Sequence, residues 1–251
     1  MKYFGAFFLI FALLSCSKND TGSAGFADDF ESYSSALQLF EQTNWSYFEQ
    51  TYSENTVSIV SDTVHSGQKA VRLFSRMGDP KTVSKADLAS HDFVLFRTND
   101  IIHVSFYAMI IGSQSIDKLF ILDIEDAAAI SSGPGIRLLL DPDNALVLER
   151  HKLNYSNISQ DAQTKVPFPR NQWVKIEFEC KLSPHKKGYV KLWQNDQLLI
   201  ERAKIITLPS DILYVTQGTH RYYRNVEVGI TANNSGSAVR MFLDDFHVWK
   251  E

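Results

Sequence analysis

The chain reads as an all-β protein, a two-sheet antiparallel jelly-roll sandwich with one concave sheet, and three observations lead there. Apolar and polar residues alternate with period two in one run after another. Polar turn clusters separate the runs: Asp141-Pro142-Asp143-Asn144, Asn195-Asp196 and Asn233-Asn234-Ser235-Gly236. Hydrophobic residues make up 44% of the chain and aromatics 12%, enough for a substantial core.

Taken in order, the chain opens with Lys2 and an apolar run from Tyr3 to Leu14. The run is shorter than the roughly 20 residues a bilayer-spanning helix needs. It has the form of the apolar region of a secretory signal, and it stops at Leu13-Leu14-Ser15-Cys16. Residues 17–25 are small and polar and read as a flexible tether. Phe26 to Glu251 then forms a single β domain. A short helix around Ser84–Ala89 is the one helical expectation.

Within the domain, Ile102, Val104, Phe106, Ala108 and Ile110 face one way, and His103, Ser105, Tyr107 and Met109 the other. Phe120, Leu122 and Ile124 oppose Ile121, Asp123 and Glu125. Ile136, Leu138 and Leu140 oppose Arg137 and Leu139. Val174, Ile176, Phe178, Cys180 and Leu182 share one face of the next run. Val190 and Leu192 oppose Tyr189, Lys191 and Trp193. Val226, Val228 and Ile230 oppose Asn225, Glu227 and Thr231. Phe242, Asp244, Phe246 and Val248 fall on one face of the last run.

The formal net charge is −4, which argues against a nucleic-acid partner. The chain has two cysteines. Cys180 lies on the apolar face of its run and reads as a buried small hydrophobe, not a nucleophile. No glycine-rich phosphate loop points to an organic cofactor. His65, His91, His151, His185 and His247 show no metal-ligand spacing.

The segment Leu13-Leu14-Ser15-Cys16 resembles the lipobox of bacterial lipoproteins. That resemblance implies a signal peptide over 1–15, a lipidated Cys16 followed by a tether to residue 25, and a lipid-anchored place in the cell envelope, on its periplasmic or surface side. Three further segments are Phe30-Glu31, Ser66-Gly67-Gln68-Lys69-Ala70-Val71-Arg72 and Asp244-Asp245. They resemble the layout of jelly-roll carbohydrate-binding modules. The resemblance implies a structural calcium held by Glu31 and Asp244 side chains and by Ser66 or Lys69 carbonyls. The residues themselves leave open that backbone amides, or a nearby Lys or Arg, cap these carboxylates instead.

The second half resembles the concanavalin A-like jelly-roll polysaccharide lyases, the group of the alginate lyases and heparin lyase I-type enzymes. Gly188-Tyr189-Val190-Lys191-Leu192-Trp193-Gln194-Asn195-Asp196 is similar to their tryptophan hairpin. Tyr214-Val215-Thr216-Gln217-Gly218-Thr219-His220-Arg221 is similar to their catalytic strand. There Tyr214, Gly218 and Arg221 match, Thr216 stands for the family's lysine, and His220 for its tyrosine. Lys85-Ala86-Asp87-Leu88 is a weak echo of their arginine- and glutamate-rich strand, and Asp123-Ile124-Glu125 stands where they carry "Q-x-H". A lyase needs a group that neutralises the uronate carboxylate, a base and an acid. The resemblance offers His220, Arg221 and Tyr222 as catalytic candidates. Trp193, Lys191, Arg137, Tyr107, His103, Asp123, Glu125 and Arg224 are candidate glycan-binding residues.

Three functions follow. The leading one is an envelope lipoprotein that binds a polysaccharide, acidic or not, on the concave face. The alternative is a polysaccharide lyase that cleaves a uronic-acid-containing glycan by β-elimination. The third is a structural envelope protein with no glycan ligand. Ile121-Leu122-Asp123-Ile124-Glu125 also resembles the "E-x-D-x-E" strand of retaining β-glucanases, but Ile121 in the nucleophile's place argues against hydrolysis.

Overall fold

The computed structural model describes residues 24–41, 44–79, 81–126, 135–151, 156–208 and 222–251. The signal, Cys16, His220 and Arg221 therefore lie outside the described residues. Two antiparallel sheets pack face to face, as the alternation predicts. The eight-stranded sheet runs β12 (Gln197–Ile205), β11 (Gly188–Gln194), β10 (Val174–Lys181), β6 (Ile101–Ile110), β14 (Val239–Lys250), β4 (Ala70–Ser75) and β3 (Thr56–Val60). Its remaining strand, β1 (Gly25–Asp28), pairs with β14. The six-stranded sheet runs β2 (Tyr47–Gln50), β5 (Ser84–Arg97), β13 (Tyr222–Asn233), β7 (Leu119–Glu125), β8 (Gly135–Leu140) and β9 (Leu146–His151). One short helix, α1 (Gln38–Glu41), accompanies them.

The core lies between the sheets. From the larger sheet come Ile102, Val104, Phe106, Val174, Ile176, Phe178, Val190 and Leu192. From the smaller come Ala86, Leu88, Phe96, Leu122, Ile124, Ile136, Leu138, Val226, Val228 and Ile230. Each of the larger side chains contributes about 1.5–3 kcal/mol of burial. Cys180 is fully buried among them, and burial pushes its thiol up. Asn195 and Asp196 both take positive φ, 48° and 62°, and close the β11–β12 hairpin as a tight turn that matches strand twist.

Three local expectations are corrected. Ser84–Ala89 is the start of strand β5, not a helix. Ala86 and Leu88 enter the core while Lys85 and Asp87 leave it, and that packing outweighs a helix propensity of tenths of a kcal/mol per residue. In β7, a register shift between Phe120 and Leu122 puts Ile121 in the core and Phe120 on the opposite side, against Leu139, Val147 and Ala232. In β14, a shift between Asp244 and His247, with Asp245 at φ 48°, flips the strand's faces. Met241 and Leu243 face the core before it, Phe246 and Val248 after it. Phe242 thus does not share a face with Phe246: its ring meets Trp173 at 6.5 Å.

Candidate functional site

The outer face of the six-stranded sheet is where polar chemistry gathers. Strand pairing lines up one row across all six strands: Tyr47, Ala89, Glu227, Asp123, Arg137 and Glu149. The adjacent row runs His91, Asn225, Glu125 and Gly135. On the other side Glu49 pairs with Asp87. These side chains point away from the core, yet Asp87 is 0%, Asp123 2%, Glu227 4% and Asn225 1% exposed. The face is recessed, and its charges must be stabilised by one another.

Lys85 organises one end. Its ammonium bonds Glu49, lies 2.9 Å from Glu227 and 3.9 Å from Asp87. Burial opposes its charge, but Glu227, Asp87 and Glu49 together push its pKa up. Glu227 also accepts a bond from Asn225 Nδ2 at 2.7 Å. Burial, then Glu227, raises the Asp87 carboxyl well above its usual range, and neither Asp87 oxygen has a hydrogen-bond partner. Glu49, Asp87 and Glu227 place ligand oxygens within 4.8 Å of one another, a spacing that could hold a metal ion; the Lys85 ammonium stands among them.

Arg137 organises the other end, 2.9 Å from Asp123 and 3.6 Å from Glu149. Thr231 donates to Asp123 at 3.2 Å. Between the two ends sits Glu125, whose carboxyl is pushed up to about 8, first by burial and then by Asp123 and Glu227. A Cβ at Gly135 would lie 2.5 Å from the Ile124 carbonyl oxygen and 2.6 Å from Glu125 Cβ, so the glycine lets β8 approach β7 closely beside Glu125.

The sequence-derived candidates divide between two faces. Arg137, Asp123 and Glu125 meet on the six-stranded sheet. His103, Tyr107, Lys191 and Trp193 lie on the outer face of the eight-stranded sheet, across the whole sandwich. They do not share a groove with the first set, because β6 and β11 belong to the other sheet. Tyr107 stacks on His65 at 3.4 Å between centroids. Tyr222 and Arg224 open β13; Arg224 lies 3.1 Å from Asp92 and 3.5 Å from Asp126. Sequence reasoning left His91, Asn225, Glu227 and Glu49 out of the site, and it saw in Lys85–Asp87 only a weak echo of the lyases' early strand. Their signal was a polar residue at every second place of an apolar strand.

The predicted calcium set does come together, at the seam where β1 meets β14. Glu31 Oε1 accepts the Gln68 and Lys69 amides at 2.8 and 2.9 Å. Asp244 accepts the amides of His65, Ser66 and Asp245 at 2.9, 3.3 and 2.9 Å. The Lys69 ammonium donates to the Glu31 carbonyl at 2.7 Å. The Glu31 and Asp244 carboxylates thus accept backbone N–H groups, the capped arrangement, and the Lys69 ammonium stands beside them at the Glu31 carbonyl. The donor set present fits the clasp without a metal.

Residues 123–246 match the family model described as polysaccharide lyase. Solved structures share the fold. An endo-β-1,4-glucuronan lyase from the fungus Trichoderma reesei superposes with TM-score 0.63 at 15% identity, covering 82% of this chain and 91% of that one. The cellulose-induced protein Cip1 gives 0.62 at 17%, covering 89% and 96%. The alginate lyase Aly36B gives 0.54 at 10%, covering 91% and 97%. No curated protein sequence matches. The resemblance to the polysaccharide-lyase jelly rolls holds in the fold as well as in the sequence pattern.

Proposed function

We propose that the chain is a polysaccharide lyase that cleaves a uronic-acid-containing glycan by β-elimination on the outer face of the six-stranded sheet. The observation that carries this is Glu125, a recessed carboxyl held up to about 8 and so neutral at neutral pH. It stands on the strand where the related pattern has its glutamine and histidine. A neutral carboxyl can donate a hydrogen bond to the uronate carboxylate, which makes the neighbouring C5 proton acidic. Asn225, beside it in register and with an unpaired buried Oδ1, orients the same sugar. His91, next in the row, takes the C5 proton; the C4–oxygen bond breaks, a C4=C5 double bond forms, and the proton passes to the leaving oxygen.

Binding without turnover, the other reading, draws support from Lys85 and Arg137, two cations of the face that are both engaged by carboxylates. One experiment separates them: ultraviolet absorbance of the unsaturated product, followed with glucuronan, alginate and heparin-type substrates. Glu125→Gln keeps the hydrogen-bond donor and is expected to retain turnover while losing the decline that wild type shows as pH rises through about 8. Glu125→Ala is expected to fall about a hundredfold. Retention of a uronan by wild type with no absorbance at any pH would leave the binder. We also propose that Cys16 anchors the chain to the envelope membrane through lipid, which radioactive fatty-acid labelling of wild type against Cys16→Ala tests.

A further inference from the structure

The outer face of the eight-stranded sheet has its own cavity, of about 300 Å³, lined by His103, Ser105, Glu177, Glu179, Trp193 and Trp249. Pairing sets two rows across four strands: Trp249, His103, Glu179 and Lys191, and beside them His247, Ser105, Glu177 and Trp193. The two tryptophans therefore stand at opposite corners, three strand spacings (about 14 Å) across and two residues along from each other. Trp249 is held in a three-ring stack. His103 stacks on it at 4.8 Å and 8°, and His247 stacks on it at 4.3 Å and 28°, so imidazoles cover its ring faces and fix its place in the wall. Ser105, between the ends, is small and leaves a floor.

Three carboxylates meet two lysines at the pocket, which leaves it acidic. Glu177 is paired with Lys175 at 3.0 Å, and Glu179 with Lys191 at 3.5 Å. Asp196, at the rim, takes Lys175 from the other side at 3.1 Å. Paired carboxylates of this kind remain good acceptors for hydroxyls but repel a further carboxylate. The indole of Trp193 takes the C–H face of a pyranose and excludes water from it, and the Trp249 stack forms the opposite wall. The lining thus suits an uncharged sugar and disfavours a uronate, the opposite of what the recessed face is proposed to take.

We propose that this pocket is a second carbohydrate site, which binds uncharged pyranose rings between Trp249 and Trp193 with Glu177 and Glu179 accepting their hydroxyl bonds. Because it lies on the far side of the sandwich from Glu125, a sugar held here does not compete for the recessed face. The site holds the protein against a neutral polysaccharide while the other face stays open.

The mature full-length chain is tested for retention on xylan, glucomannan and microcrystalline cellulose, by affinity electrophoresis and by pull-down. Wild type is expected to be retained on at least one. Trp249→Ala and Trp193→Ala are expected to weaken retention at least tenfold, with Glu125→Ala retained as wild type. Uronan turnover is expected to be unchanged in Trp249→Ala, so failure here and failure of the lyase reading show in different assays. Thermal melts check folding, and Glu177→Ala with Glu179→Ala gives a second pair, without the acceptors, that should also lose retention. No retention of wild type on any of the three, or equal retention of folded Trp249→Ala, overturns the proposal.

Discussion

The two outer faces of the sandwich are built from the same period-two pattern and end in different physics. On the eight-stranded sheet, β10 and β11 alternate strictly between buried and half-exposed residues. On the six-stranded sheet, every residue of β7 is buried, and so is almost all of β13. Charges on the first face meet water and are paired within reach of it. Charges on the second lose most of their hydration, so their partners and protons decide what they can do. Among the described residues, that face gathers Glu49, Asp87, Asp123, Glu125, Glu149 and Glu227, with Lys85, Arg97 and Arg137 among its cations.

The sharpest way to break this comparison is to remove one lysine from each face. Lys85→Met leaves Glu49, Asp87 and Glu227 recessed with no ammonium between them. Removal of one partner from a buried ionic group costs about 3–5 kcal/mol. Lys175→Met on the other face breaks pairs with Glu177 and the exposed Asp196. There the expected cost is within about 0.5 kcal/mol. Urea unfolding of both variants at one pH reads the difference, and equal costs would mean that the two faces are electrostatically alike.

A second test uses pH. The Glu125 carboxyl in the folded chain holds its proton up to about pH 8, against 4.5 for its ordinary value. Between those limits the folded state binds more protons than the unfolded state. Its contribution to stability is therefore fully present below the ordinary value and is lost as pH rises through about 8. The loss is on the order of 5 kcal/mol. Glu125→Gln has no such proton, so wild type measured against it should weaken steadily from about pH 5 to about pH 9. A constant difference over that range would show that Glu125 is ionised in the folded chain.

The sequence carries the first face better than the second, and the comparison explains why. Alternation is a record of one wet and one dry side, so β10 and β11 are legible residue by residue. Where both sides are dry, the polar residues look like interruptions. Lys85-Ala86-Asp87-Leu88-Ala89 reads as a helix because nothing local says that Asp87 will be buried. A bulge is equally silent. One extra residue at Ile121, or at Asp244-Asp245, reverses every later side chain, and φ 48° at Asp245 leaves no compositional mark. The site itself joins Lys85 to Glu227 and Glu125 to His91 through strand order, which no single segment contains. What local pattern could supply were the parts: Asp123 and Glu125 on one strand, Arg137 on the next.

The smallest expected effect concerns the seam between β1 and β14, where charge is neither recessed in a row nor left in water. Glu31 and Asp244 are satisfied by backbone N–H groups, and Lys69 supplies the positive charge at the Glu31 carbonyl. If this capping is complete, chelator should leave the melting temperature where it was, and added calcium should not raise it. A ligand bound by the folded state alone would shift the melt with its concentration. Glu31→Gln keeps an acceptor for the Gln68 and Lys69 amides but loses the charge, for a cost of about 1 kcal/mol. Lys69→Met is the discriminating partner. Without its ammonium the seam has room for an outside cation, so calcium should begin to raise the melt in that variant alone. A wild-type melt that falls with chelator would instead show that the seam is a calcium site and that Lys69 gives way to the ion.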